Sequence, residues 1–343
     1  MAKKIMENRL LIRGLEISPP IALAPMVGLS HSALRTLVQE EGGIGLLFTE
    51  MLAAERLPHD NNNYSPLLIR SSGEYPLFYQ LVTADTEAIG PATEKLHAFG
   101  AQGIDLNLGC PAPLQKRQGA GLSLTENQAQ MCKVLRRLRA CTDLPVSVKI
   151  RLGDSLDTGK LRGLCRFLED EGVDLITIHA RLNGEKFCRK PRWETIGSIR
   201  HTFAVPILVN GGIFSVADAK SSLEQSGADG LMIGRGAVEK PWLCGDIARE
   251  IYGMPITCRQ HSDMELYFKF VGLLEQRFAP ERRLGRLKQF TTYYAALFTF
   301  GHHLASSIQS SNSIDQAKQR AADFFARNVY RSTSMEVPYD RSY

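Results

Sequence analysis

The 343-residue sequence has no Cys-x-x-Cys pair, and its seven cysteines, scattered between positions 110 and 258, are odd in number. Neither a disulfide framework nor a zinc or iron–sulfur centre fits that pattern. A reduced, cytoplasmic setting is the expectation. There is no apolar run of about 18 residues, so no membrane span is predicted. The basic start, Lys3 and Lys4 through Arg9, is not followed by an apolar stretch, which argues against a signal peptide. Solenoid-type repeats and low-complexity segments are lacking as well. Net charge is only +5, but the basic excess lies late in the chain. From Cys258 to Tyr343 there are 12 Lys and Arg against 8 Asp and Glu. Such a surface could meet phosphates, while charge of this size alone is better accounted for by a solvated helix face.

What is present is an alternation. Short apolar runs recur at 21–24, 45–49, 77–81, 104–107, 146–150, 175–179, 207–210 and 230–233, each followed by a longer amphipathic stretch. Several are entered through Gly or Pro, which stop helices and turn the chain. Between them, Thr125 to Ala140 reads as a helix capped by Thr125, with Met131, Val134, Leu135 and Leu138 on one face. Val216 to Gln225 reads likewise. Eight strand–helix alternations in about 235 residues predict an α/β fold, a (β/α)8 TIM barrel. After about residue 255 the strand pattern ends. Asp263 to Phe278, Arg286 to Phe300 and Ile314 to Tyr330 read as helices, a small all-helical C-terminal domain. The expected division is a 1–20 N-terminal extension, a 21–255 barrel, a 256–335 helical domain and a 336–343 tail.

Barrel chemistry gathers where strands end and loops begin. At those places stand Met26, Gln80, Asn107, Cys110, Lys149, Arg151, His179, Arg181, Asn210 and Arg235, where Val, Ile or Leu would be ordinary. A buried polar ring is costly unless something bonds to it, so a polar ligand is the economical explanation. Asn210-Gly211-Gly212 and Gly234-Arg235-Gly236 close the last two strands. Their backbone amides and Arg235 suit a phosphate, although tight turns alone would also use these glycines. Lys149 could neutralise an electron-rich ring, polarise a carbonyl, form a Schiff base or join a structural ion pair. His179 matches it one strand later, at the same expected level. Cys110 lies in Asn107-Leu108-Gly109-Cys110-Pro111-Ala112-Pro113, a rigid loop that would fix a thiol fit to protonate carbon as a general acid. The other six cysteines have no such setting.

These residues together resemble the tRNA-dihydrouridine synthase family. The likeness is carried by Ala24-Pro25-Met26-Val27-Gly28, by the Cys110 loop with Gly119-Ala120-Gly121 and Leu124 behind it, by Val148-Lys149-Ile150-Arg151, and by His179-Ala180-Arg181 with the two glycine loops. It covers residues 20 to about 245 well and the helical part loosely. The chain departs from it at Leu182, where Thr is frequent, and at Gly212, where Asp is frequent. The resemblance implies an FMN barrel whose flavin is reduced by NADPH, hydride transfer to carbon 6 of a uridine in tRNA, and a proton from Cys110 to carbon 5. It implies that Pro25, Met26, Val27, Gln80, Lys149, His179, Asn210, Gly211, Gly212, Gly234 and Arg235 hold FMN. Asn107 and Arg181 would face the uracil. The partner would be tRNA, gripped by Arg277, Arg282, Arg283, Arg286 and Lys288, with no membrane, no metal and a monomeric protein. The rival readings are an FMN-dependent reductase of a free pyrimidine or other small molecule, a Lys149 Schiff-base aldolase, and a non-catalytic RNA-binding barrel.

Overall fold

Ile21–Leu23, an apolar run entered through Pro19-Pro20, begins a parallel sheet in the computed structural model, which describes residues 8–60, 65–257 and 261–327. Before it, Leu10–Ile12 (β1) and Leu15–Ile17 (β2) pair antiparallel. Arg13 and Gly14 form their two-residue turn, both at positive φ, the geometry that matches strand twist. The sheet runs Ile21–Leu23 (β3), Leu47–Ala53 (β4), Leu77–Val82 (β5), Gly103–Asn107 (β6), Val146–Arg151 (β7), Leu175–His179 (β8), Ile207–Asn210 (β9) and Gly230–Ile233 (β10). Its spatial order is β3-β10-β9-β8-β7-β6-β5-β4. A parallel bridge between Ala22 and Leu46 brings the two ends together, so the sheet closes as a barrel. All eight expected strands are present.

The strands are apolar on both faces at their starts because one face packs on helices and the other fills the barrel. Phe48, Phe78, Leu175, Leu208 and Met232 fill the lower interior together with Ile12 and Ile17 of the hairpin. β1–β2 therefore floors the barrel, where only an extension was expected. Arg13 fastens it through Asp174 at 3.1 Å, at the entry to β8.

The surrounding helices differ in detail from expectation. Asn127, not Thr125, caps Gln128–Cys141, accepting from the Gln130 amide; Thr125 belongs to a preceding 3-10 turn, Gly121–Glu126. Among the described residues the β4–β5 link holds only a 3-10 turn, Leu57–His59, in place of a helix. Prolines 58 and 66 and the Asn, Ser and Gly residues of this stretch disfavour helix. A buried ion pair orders it instead: Arg35 of helix Ser32–Glu40 meets Glu74 at 2.6 Å, and the Ser71 amide also donates to Glu74.

Beyond the barrel come Asp263–Arg277, Arg283–Tyr294, Gly301–Gln309 and Ile314–Arg327. The first opens with a full Ser262/Glu265 capping box. The helix expected over 286–300 ends at Tyr294, because Ala295–Leu297 tightens to a 3-10 turn and Phe298 is extended. These helices pack through an aromatic cluster of Tyr267, Phe270, Phe290 and Tyr294, with Phe270 and Phe290 stacked at 3.8 Å. Among the described residues no helix is long and apolar enough to cross a membrane.

Candidate active site

At the strand C-terminal end opens a cavity of about 330 Å³. All fourteen expected site residues line it: Cys110, Pro25, Met26, Val27, Gln80, Lys149, His179, Asn210, Gly211, Gly212, Gly234, Arg235, Asn107 and Arg181. Strand pleating explains the convergence, since alternate residues of β5 to β9 point into the barrel. Register then sets the levels. Asn107 is beside Lys149, and Lys149 beside Thr177; His179 is level with Arg151 and Asn210. His179 is thus one pleat nearer the mouth than Lys149 rather than level with it, because barrel strands are staggered.

Lys149 is half-buried in the cavity wall, and among the described residues no hydrogen bond or ion pair is made by its ammonium. Burial, and then repulsion by Arg151, pull it down to about 8. It remains mostly cationic at neutral pH. His179 is driven well below its ordinary value by burial and by Lys149, Arg151, Arg181 and Arg235, so its ring is neutral. Arg181, pulled down to about 10 by burial and then by Arg235, lies 3.0 Å from His179 Nε2 and donates to the Arg189 carbonyl at 2.6 Å. It faces the glycine-loop end of the cavity more than the Cys110 end.

The Cys110 loop is clamped on both sides. Asn107 Oδ1 accepts from the amides of Gly109 at 3.1 Å and Cys110 at 2.9 Å. From behind, the Leu122 amide donates to the Cys110 carbonyl at 3.1 Å. This is why the downstream glycines matter: a Cβ on Gly121 would lie 2.8 Å from that carbonyl. At the opposite wall Gly211 has φ +106°, and a Cβ there would meet the His179 ring at 2.6 Å. Asn210 Nδ2 donates to the Met232 carbonyl at 2.7 Å, tying β9 to β10 below the two glycine loops.

The lining also includes Arg151, which the strand-end pattern marks without a role, and Met51, Phe187, Gln289 and Tyr293, which had no place in the expected set. Phe187 is half exposed, stacks on His179 at 5.9 Å and lies under the Arg235 guanidinium at 4.9 Å. Nothing in the sequence signals it. Gln289 and Tyr293 are four apart on helix Arg283–Tyr294, a spacing that could have marked a shared face. Gln289 donates to the Val27 carbonyl at 3.1 Å, so the helical part helps to build the mouth.

The arginines expected to grip RNA are partly committed elsewhere. Arg283 donates to the carbonyls of Phe278 at 2.7 Å and Glu275 at 3.0 Å, closing the end of helix Asp263–Arg277. Arg286 packs over Phe278 at 4.2 Å and is half-buried near Glu50. Arg282 remains exposed. Exposed cations also follow the site residues in sequence: Lys116 and Arg117 on the short helix Pro113–Arg117 after Cys110, and Lys186, Arg189 and Lys190 around Phe187.

Among solved structures the chain is similar to a 2-naphthoyl-CoA reductase in complex with 2-naphthoyl-CoA (TM-score 0.55, 11% identity, 78% of this chain and 56% of that one). It is also similar to TcOYE with pHBA (TM-score 0.52, 10% identity, 74% and 95%). At such identities the likeness is one of fold. Sequence relatives are nearer. A probable tRNA-dihydrouridine synthase 1 of Synechocystis sp. is 27% identical over 319 residues, 90% of this chain and 86% of that protein. A probable tRNA-dihydrouridine synthase of Rickettsia conorii is 33% identical over 237 residues, 69% and 71%. tRNA-dihydrouridine synthase B of Pseudomonas putida is 31% identical over 229 residues, 66% and 67%. The dihydrouridine synthase family model matches residues 22–337, from the first barrel strand through the helical part that supplies Gln289 and Tyr293, and the chain belongs to that family.

Proposed function

We propose that the protein reduces a uridine of tRNA to 5,6-dihydrouridine, using FMN re-reduced by NADPH. The observation that carries the flavin is Lys149, a cation in the cavity wall with no hydrogen-bonding partner among the described residues, lining the same cavity as Cys110. Such a cation calls for an electron-rich ligand. A cavity of about 330 Å³ lined by convergent polar groups suits a small cofactor. When bound, FMN would carry hydride from NADPH to carbon 6 of the uracil.

The chain's own residues do the rest. Lys149 and Gln80 hold the polar edge of the ring, while Pro25, Met26 and Val27 pack along it. His179, being neutral, donates or accepts a hydrogen bond without adding charge. Asn210, Gly211, Gly212 and Gly234 shape the far end, and Arg235 supplies a cation for the phosphate. Cys110 holds the proton for carbon 5, with its backbone fixed on both sides. Asn107 flanks the place for the uracil beside Cys110, and Arg181 would reach it from the glycine-loop side. A stacked uracil cannot reach this depth, so it must be turned out of the RNA into the mouth. The exposed cations close in sequence to Cys110 and Phe187 fit the phosphates on either side of that base.

Two measurements test the reading. Purified protein should be yellow, and NADPH should bleach it. Cys110→Ala should keep both properties and lose about 100-fold or more of dihydrouridine formation. Protein that takes up no FMN would overturn the proposal, and full activity in Cys110→Ala would remove the thiol from it. A free pyrimidine as substrate is disfavoured because Gln289 and Tyr293 of the helical part form one side of the mouth.

A further inference from the structure

Beneath the cavity lies a carboxylate that the reading above does not use. Asp105 points inward from β6 and is fully buried. Register places Gln80 beside it on β5 and Ser147 beside it on β7. Ser147 Oγ donates to one carboxylate oxygen at 2.5 Å, and Gln80 Nε2 donates to the other at 2.7 Å. An ionised carboxylate only accepts, so this contact dictates which end of the Gln80 amide faces it. Gln80 Oε1 is thereby turned the other way, where it accepts from Asn107 Nδ2 at 2.8 Å. That orients Asn107 in turn and leaves its Oδ1 for the amides of Gly109 and Cys110. Every link joins a donor to an acceptor, and reversing any amide would set like groups face to face.

We infer that Asp105 is a positioning residue for Cys110, setting the direction of a Gln80–Asn107 amide relay that holds the Cys110 loop at the cavity. The inference rests on the reading of Cys110 as proton donor and deepens it. Chains of hydrogen bonds in a dry interior reinforce one another, so an anchor three links away is felt at the loop. Burial raises Asp105 to about 6, which leaves it ionised, and accepting, at neutral pH. A competing explanation for the same residue is charge balance alone, since Lys149 is its cationic neighbour.

Two substitutions separate these. Asp105→Leu removes both the acceptor and the charge. Asp105→Asn removes the charge but keeps the relay, because its carbonyl can accept from Gln80 while its amide donates to Ser147 Oγ. The holoprotein is treated with iodoacetamide, and modification of Cys110 is followed by peptide mass spectrometry at matched flavin content. kcat and KM for tRNA are measured in parallel. Asp105→Leu should alkylate several-fold faster, with kcat lowered about 10- to 100-fold and KM little changed. Asp105→Asn should stay within about twofold of the parent on every readout. Parent-like alkylation in Asp105→Leu, or an Asp105→Asn as impaired as Asp105→Leu, overturns the inference. Should Asp105→Leu not fold, the smaller Asp105→Ala must show the same faster alkylation, and a parent-like rate there overturns it equally. Alkylation reports on the loop whatever reaction is catalysed. A parent protein that makes no dihydrouridine would therefore sink the proposed function while the relay is judged on its own.

Discussion

At the scale of single residues, the site depends on the Lys149 ammonium. Lys149 loses its proton as pH rises through about 8, so whatever ligand oxygen or anion it grips is held below that pH and released above it. FMN affinity, measured by fluorescence quenching, should fall as pH passes about 8. Lys149→Met should bind FMN more weakly at pH 7, by about 1.5–3 kcal/mol, and lose that pH dependence. An unchanged pH slope in Lys149→Met would point to a different group. Lys149 and Cys110 were legible in the sequence because polar residues at the ends of apolar strands are expensive and the Gly-Cys-Pro loop is unusual. Asp105 stood in plain sight in the run Ile104 to Asn107, but its partners Ser147 and Gln80 come from other strands, and only register brings them together. Phe187 was illegible, since its place depends on how a loop folds back on His179.

At the scale of elements, apolar runs marked all eight barrel strands because both of their faces are covered. The hairpin β1–β2 escaped notice because its strands are three residues long and its turn is Arg-Gly, not Asn-Gly or Asp-Gly. The helix missing between β4 and β5 has a consequence for stability. Arg35 and Glu74, both buried, tie the irregular link to helix Ser32–Glu40, and Arg35 also donates to the carbonyls of Ser30 at 2.7 Å and Ile69 at 2.8 Å. Glu74→Ala leaves that guanidinium buried and unpaired. It should cost about 3–5 kcal/mol in urea denaturation. A loss under about 1 kcal/mol would mean that the link is held by its apolar contacts alone.

At the scale of the whole molecule, barrel and helices share one mouth, with Val27 two-thirds exposed at its rim and bonded to Gln289. Exposed cations lie close in sequence to Cys110 and Phe187, which line that mouth, and they differ from the arginines that charge counting favoured, because Arg283 and Arg286 serve the packing of the helices. Reversing Lys116 and Arg117 to Glu should weaken tRNA binding and flatten its dependence on salt by roughly one to two units of log–log slope, with flavin content unchanged. Binding titrations at several salt concentrations check this. An unaltered slope would place the RNA elsewhere on the surface.

The hairpin at the other end limits traffic. With Ile12 and Ile17 sealing the lower barrel, nothing enters from below, and in the proposed reaction the reductant and the RNA base would have to use one doorway. A nicotinamide and a turned-out uracil would then have to take turns. Initial-rate plots against tRNA at several NADPH concentrations should accordingly be parallel, the signature of ping-pong kinetics. Intersecting lines would mean that both visitors fit at once.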